Sequence, residues 1–149
     1  MDQENRKFIQ NIIDNGKDLT LATIRQDGYP QATTVSYASD GLTIYVTIGK
    51  ESQKANNIRH CEKVSLTINA DYPDWNHIKG LSMGATARIL DKPNDIKRAT
   101  DCMFKRFPQM AEWAQSNDTS DLVMLEIMPT VISVLDYEKG FGHTELVTM

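Results

Sequence analysis

The chain has little of what metal centres and common catalytic constellations are built from. Cysteine occurs twice, at Cys61 and Cys102, with no Cys-x-x-Cys spacing and no ligand set around either, so neither a zinc site nor a disulfide framework is indicated and both read as free thiols. His60, His77 and His143 are the only histidines, and none falls in a metal-ligand spacing such as His-x-x-x-His. Each reads first as a surface or loop residue. No serine lies in Gly-x-Ser-x-Gly, and neither a Walker loop nor Gly-x-Gly-x-x-Gly occurs. Glu138 and Glu145 lie in a Gly-punctuated tail, a poor place to tune a pair of carboxylates. The net charge of −4 has no basic stripe against it, which argues against a nucleic-acid partner. No apolar run is long enough to cross a bilayer, and residues 1–7 lead into Phe8 and Ile9 without the apolar core of a signal peptide. No membrane association and a cytoplasmic location are therefore expected.

What is present is a steady alternation of strand patterns. The 149 residues suit a single domain over 1–149 with one core. Asp2 is placed to cap a first helix in which Phe8, Ile9, Ile12 and Ile13 recur at helical spacing, with Gly16 as its stop. Residues 19–25 alternate Leu19, Leu21 and Thr23 against Thr20, Ala22 and Ile24. Asp27-Gly28 then turns the chain into a Thr- and Val-rich strand over 31–38. A second turn at Ser39-Asp40-Gly41 leads to a strand whose inner face is Leu42, Ile44, Val46 and Ile48. A helix is predicted near 51–59, a strand over 64–70, a loop over 71–77 and a long strand over 81–90. Small residues Gly84, Ala85 and Ala87 predict a bend in that last strand. Pro93 suits the first turn of a helix to about 106, and a short helical turn with Met110 and Trp113 follows. Two more strands, 122–127 and 131–136, are expected either side of Met128-Pro129-Thr130. The pattern predicts a mainly β fold, a six- to seven-stranded antiparallel barrel, closed or partly open, with three flanking helices.

The residues after Ile48 are the most suggestive. Ser52 stands at a helix N-cap and Lys54 in the first turn. By themselves these are an ordinary cap and a solvated lysine. A helix start also offers free amides and partial positive charge, so a hydroxyl and an ammonium beside it form a cradle for a phosphate. With no catalytic constellation elsewhere, any chemistry would come from a bound cofactor.

Leu21-Ala22-Thr23, Asp27-Gly28-x-Pro30, the Thr/Val strand, Thr47 and Ser52-x-Lys54 occur in an order that continues through residues 64–68, the strand around Gly84, Leu125-Glu126-Ile127-x-Pro129 and Asp136-Tyr137-x-Lys139-Gly140-Phe141-Gly142-His143. In this order the chain resembles the pyridoxamine 5′-phosphate oxidase-like FMN-binding split-barrel family, in its short general-stress-protein-like branch, over nearly its whole length. The resemblance implies a homodimer with FMN at the subunit interface. It implies flavin contacts from Thr33, Thr34, Val35, Ser36, Val46 and Thr47, a phosphate grip from Ser52, Gln53 and Lys54, and a reach from Lys79 to the partner's flavin. It also brings Trp75, Trp113, Phe141 and His143 forward as pocket candidates, and a nicotinamide donor and small-molecule substrate as partners. The wider superfamily adds deazaflavin F420 and haem as alternative cofactors, and a flavin-holding stress or sensor module without turnover as an alternative role. The chain departs from the oxidase proper in four ways. Thr33 and Gln53 stand where arginines are expected, one extra residue separates Thr47 from Ser52, and the Arg-rich carboxyl-terminal segment is missing. These point away from pyridoxamine phosphate as substrate and leave Lys54 as the principal cation of the motif.

Overall fold

The computed structural model describes residues 1–149. Helix α1 (Gln3–Asn15) begins at Asp2, whose carboxylate accepts the Asn5 amide at 2.7 Å, and buries Ile9, Ile12 and Ile13. Strands β1 (Asp18–Ile24) and β2 (Pro30–Ser36) form the expected hairpin, with Leu21 opposite Thr33. After Tyr37 come β3 (Ala38–Asp40) and β4 (Thr43–Gly49), helix α2 (Gln53–His60), β5 (Lys63–Asn69) and the eleven-residue β6 (Lys79–Ile89). Helices α3 (Pro93–Arg106) and α4 (Pro108–Ser116) precede β7 (Leu122–Asp136), and β8 (Thr144–Thr148) closes the chain.

The eight strands form one antiparallel sheet in the order β2-β1-β5-β6-β7-β4-β3, with β8 added beside β7. The two ends of this path, β2 and β3, are consecutive in sequence and separated only by Tyr37. A flat sheet of that order cannot be joined by one residue, so the sheet must curl until its edges meet. The result is a barrel closed at the seam by the covalent chain and side chains, without a backbone ladder between β2 and β3. Ile44, Val46 and Ile48 point into the barrel with Leu19, Leu21, Leu66, Leu81 and Leu125, as the alternation required. Tyr45 on the opposite face of β4 is buried too, in a smaller cluster with Ala38, Leu90, Ala99, Met103 and Met124 under α3.

Four helices and eight strands are present where three and six or seven were expected. The segment around Met110 and Trp113 is a nine-residue helix, and part of the tail is a strand. The two strands expected either side of Pro129 are one, β7, fifteen residues long. Pro129 is accommodated because β7 borders β4 only as far as Ile127 and β8 only from Val131, so its missing N–H falls where one edge has no ladder partner. The predicted bend occurs here as a bulge. The pairing shifts between Gly84 and Ala85, and the extra residue, Thr130, donates its hydroxyl to the Gly84 carbonyl at 3.0 Å.

Gly16 ends α1, but with φ −75° rather than in the left-handed conformation of a usual glycine stop. Its lack of a side chain matters for another reason. A Cβ there would lie 2.5 Å from the Tyr37 hydroxyl, which donates to the Ile13 carbonyl at 2.6 Å and so satisfies one of the last carbonyls of α1. Arg106 donates to the carbonyls of Asp14 and Gly16 and stacks over the Tyr37 ring. Burial raises the Tyr37 phenol to about 12. Because the folded pKa lies above the unfolded one near 10, the unfolded chain loses its proton first as pH rises. Stability should therefore fall between pH 10 and 12. Urea midpoints measured across that range should drop in the parent protein, and the Tyr37→Phe variant should lose that part of the slope while starting from a lower midpoint.

Candidate functional site

The corner where β4 runs into α2 is built by local chemistry. Ser52 accepts the Ala55 amide on its hydroxyl oxygen at 3.2 Å and donates to the Gly49 carbonyl at 2.7 Å, so one side chain both caps the helix and ties it to the strand end. Arg59, near the other end of α2, donates to the Lys50 carbonyl at 2.9 Å and braces the connection. Lys54 projects from the first turn, half-buried, and enters none of the ion pairs of the protein.

The inner face of α2 carries a polar link that the hydrophobic pattern did not reveal. Asn57 is 1% exposed, at a helix position that faces the barrel beside Ala55 and Ile58. Its amide donates to Thr23 at 2.9 Å and to Gln31 at 3.2 Å, and its oxygen accepts from Gln53 at 2.7 Å. A chain of side chains thus runs from the first turn of α2 to the β1–β2 hairpin. The available signal was Asn57 at a core-facing turn of an otherwise apolar stripe, four residues after an amide of the same kind. Gln53, expected in the phosphate grip, has a side-chain N–H already committed to this link.

On β2 the side chains alternate. Gln31, Thr33 and Val35 are half-buried toward the barrel, whereas Thr34 and Ser36 are exposed on the other face. The Thr33 hydroxyl oxygen is buried and has no hydrogen-bond partner. It lies on the edge strand two residues from Gln31, so the Asn57 link brings it to the α2 side of the barrel. Ser36 is at the far end of β2, bonded to Asp18 at 3.0 Å. Val46 belongs to the core, and Thr47 points the opposite way, donating to the Met124 sulfur at 3.2 Å.

Ser52, Gln53 and Lys54 therefore lie together at the β4–α2 corner, tied through Asn57 to the hairpin that carries Thr33, whereas Val46 faces the core, Thr47 faces the cavity side of β4, and Lys79 lies elsewhere. Lys79 pairs with Asp136 at one end of β7, whereas Gly49 pairs with Leu122 at the other. The whole length of the longest strand separates them, roughly 45 Å along an extended chain. Lys79 is instead held by Glu138 at 3.2 Å. The pocket candidates divide in the same way. Trp113 stands near Thr47, over a cavity beneath α3 and α4. Trp75, Phe141 and His143 are at the Lys79 end, where Trp75 and Phe141 are about 70% exposed and pack ring to ring at 6.2 Å. His77 bonds Asp74 at 2.7 Å and His143 bonds Glu145 at 3.1 Å, and these bonds hold both carboxyls below the usual range.

The family profile described as pyridoxamine 5′-phosphate oxidase matches residues 1–136. The chain belongs to that family. General stress protein 26 of Bacillus subtilis is 26% identical over 134 residues, 90% of each chain. Among solved structures, a general stress protein 26-related protein of Clostridium acetobutylicum aligns over 100% of this chain and 97% of its own, with TM-score 0.72 and 16% identity. A haem-binding protein of Mycobacterium smegmatis aligns over 99% of this chain and 59% of its own, with TM-score 0.81 and 17% identity. These likenesses establish a split-barrel fold, one that a haem-binding protein also adopts.

The Asn57 link predicts a stability effect separable from ligand binding. Asn57→Leu leaves Thr23, Gln31 and Gln53 without their common partner and should cost about 1–3 kcal/mol. Urea denaturation of the ligand-free protein measures it.

Proposed function

We propose that this chain is an FMN-binding flavoprotein that works as a homodimer and passes reducing equivalents from a reduced nicotinamide to a small acceptor. The observation that carries the reading is the donor set left unspent at the β4–α2 corner. Lys54 has no acidic partner, α2 starts at a serine cap, and the buried Thr33 hydroxyl has no partner in the chain. A phosphate-bearing ligand fits such a set, because a dianion takes both the point charge of an ammonium and the fixed amides of a helix start.

Lys54 and the first turn of α2 would hold the phosphate, with Ser52 keeping that turn in place and Gln53 fastening it to Asn57. Strand β2 is hydrogen-bonded on one side only, so alternate backbone groups on its free edge over Thr33, Thr34, Val35 and Ser36 are available to the rim of a flavin. Thr33 and Val35 would add side chains from the half-buried face, and the backbone of Val46 and Thr47 would lead into the corner from β4. Bound FMN would supply the redox step itself. The fit is less favourable for haem at this corner. His60, the histidine of α2, is exposed at the opposite end of that helix, and His77 and His143 are engaged with carboxylates at the Lys79 end. The homodimer enters this reading through the resemblance, which assigns Lys79 to the partner's flavin; in its own chain Lys79 lies at the other end of β7 from the corner.

The purified protein should be yellow, with the two absorption bands of an oxidised flavin, and should release FMN on denaturation. Lys54→Ala should weaken FMN binding at least tenfold, the loss of one charge-assisted hydrogen bond of about 1.5–3 kcal/mol. Its unfolding free energy in urea without ligand should stay within about 0.5 kcal/mol of the parent, as for a surface substitution. A Soret band, a single band near that of a deazaflavin, or unchanged FMN affinity in Lys54→Ala would overturn the reading. Turnover is read from anaerobic reduction by NADH or NADPH, which should outpace that of free FMN.

A further inference from the structure

The cavity beneath α3 and α4 has a volume of about 280 Å³ and thirteen lining residues, ten of them apolar and none charged. Its floor is the outward face of β4 and β7 at Thr47 and Met124, and its roof carries Met103, Phe104, Met110 and Trp113. An apolar cavity of about 150 Å³ is enough to take up benzene. Several features mark it as a receptacle rather than a packing fault. No residue of α4 is fully buried, although Met110, Trp113 and Ala114 all face the cavity; Met110 packs against the cluster of Tyr45, Met103 and Met124, and the rest of the helix spans the space. Packing α4 down would recover the dispersion energy that an empty apolar space forfeits. Methionine side chains on floor and roof adapt their shape to a guest. Trp113 and Leu122 remain partly exposed, leaving the cavity open on their side.

The polar groups of the wall define the guest further. Thr47 donates its hydroxyl hydrogen to the sulfur of Met124 at 3.2 Å, and a thioether is a weak acceptor. A guest oxygen at the same place would be a better partner. Thr100 and Thr119 are the other hydroxyl-bearing residues of the lining. With no counter-charge, an ionised guest would be desolvated without compensation. We infer that the cavity is a binding site for a neutral, largely apolar molecule of one- or two-ring size that presents an acceptor oxygen to Thr47. That it lies beside a flavin rests on the proposed function, through Thr47. The pocket itself does not.

The probe is 4-nitroanisole, neutral, flat and a quencher of tryptophan fluorescence, with 4-nitrobenzoate as its charged counterpart. Trp75→Phe leaves Trp113 as the only tryptophan. Titration of this protein should give saturable quenching by 4-nitroanisole and at least tenfold weaker binding of 4-nitrobenzoate. Ala114→Phe, which fills the cavity, should abolish saturation. Thr47→Val, which keeps the shape and removes the hydroxyl, should weaken binding several-fold, and it carries the test if Ala114→Phe does not fold. Linear quenching that is unchanged in these variants, equal binding of the two probes, or displacement of the probe by saturating FMN would overturn the inference. Lys54→Ala should retain probe binding. A protein that fails to bind FMN yet binds 4-nitroanisole refutes the flavin reading and leaves this one standing.

Discussion

The structure depends on a single-residue bridge between the two edges of its sheet. Tyr37 alone connects β2, at one end of the strand order, to β3 at the other. Its phenol caps the last turn of α1, its ring carries Arg106, and its amide donates to the Lys17 carbonyl at 3.2 Å. The corner thereby fixes where the barrel meets, where α1 stops and where the end of α3 is anchored. Gly16 belongs to the same arrangement, since the phenol occupies the space a side chain would need.

The seam also explains why the candidate site lies where it does. An unpaired strand edge exposes backbone groups that must find other partners. Here the hairpin of β2 is linked to the start of a helix whose Gln53 and Lys54 amides are free and whose lysine is uncommitted. The Asn57 link holds helix and hairpin in fixed relation, so these separate sources of donors form one rigid surface. Gln53 takes part as a brace through its bond to Asn57. Lys54 shares the corner with Lys50 and with the Arg59 guanidinium bonded to the Lys50 carbonyl, and none of the three enters an ion pair. The apolar cavity on the other side of β4 meets this surface through Thr47.

Much of the architecture could be read directly from residue patterns. The period-two alternation of β1, β4 and β5 identified their inner faces because each has one side in the core, and Ser52 and Asp2 were recognisable as caps from their positions before apolar periodic runs. Other features arise from relations between distant segments. The continuity of β7 through Pro129 depends on β4 ending and β8 beginning along the same edge. The burial of Tyr45 depends on α3 covering a face that alternation alone assigned to the outside. Asn57 is polar in a core position because Thr23 and Gln31 come to meet it. Lys79, expected to reach the partner's flavin, stands at the other end of β7 from the β4–α2 corner of its own chain, a separation set by the length of that strand.

The seam has a consequence for the order of folding. The β1–β2 hairpin closes over a short turn, while β2 and β3 come together only when the five strands lying between them in the sheet have been laid down. The neighbours that meet last in space are thus the nearest in the chain, and Tyr37 acts as a clasp whose two halves are made early and fastened late. Contacts of high sequence separation set its timing, even though the clasp itself spans one residue.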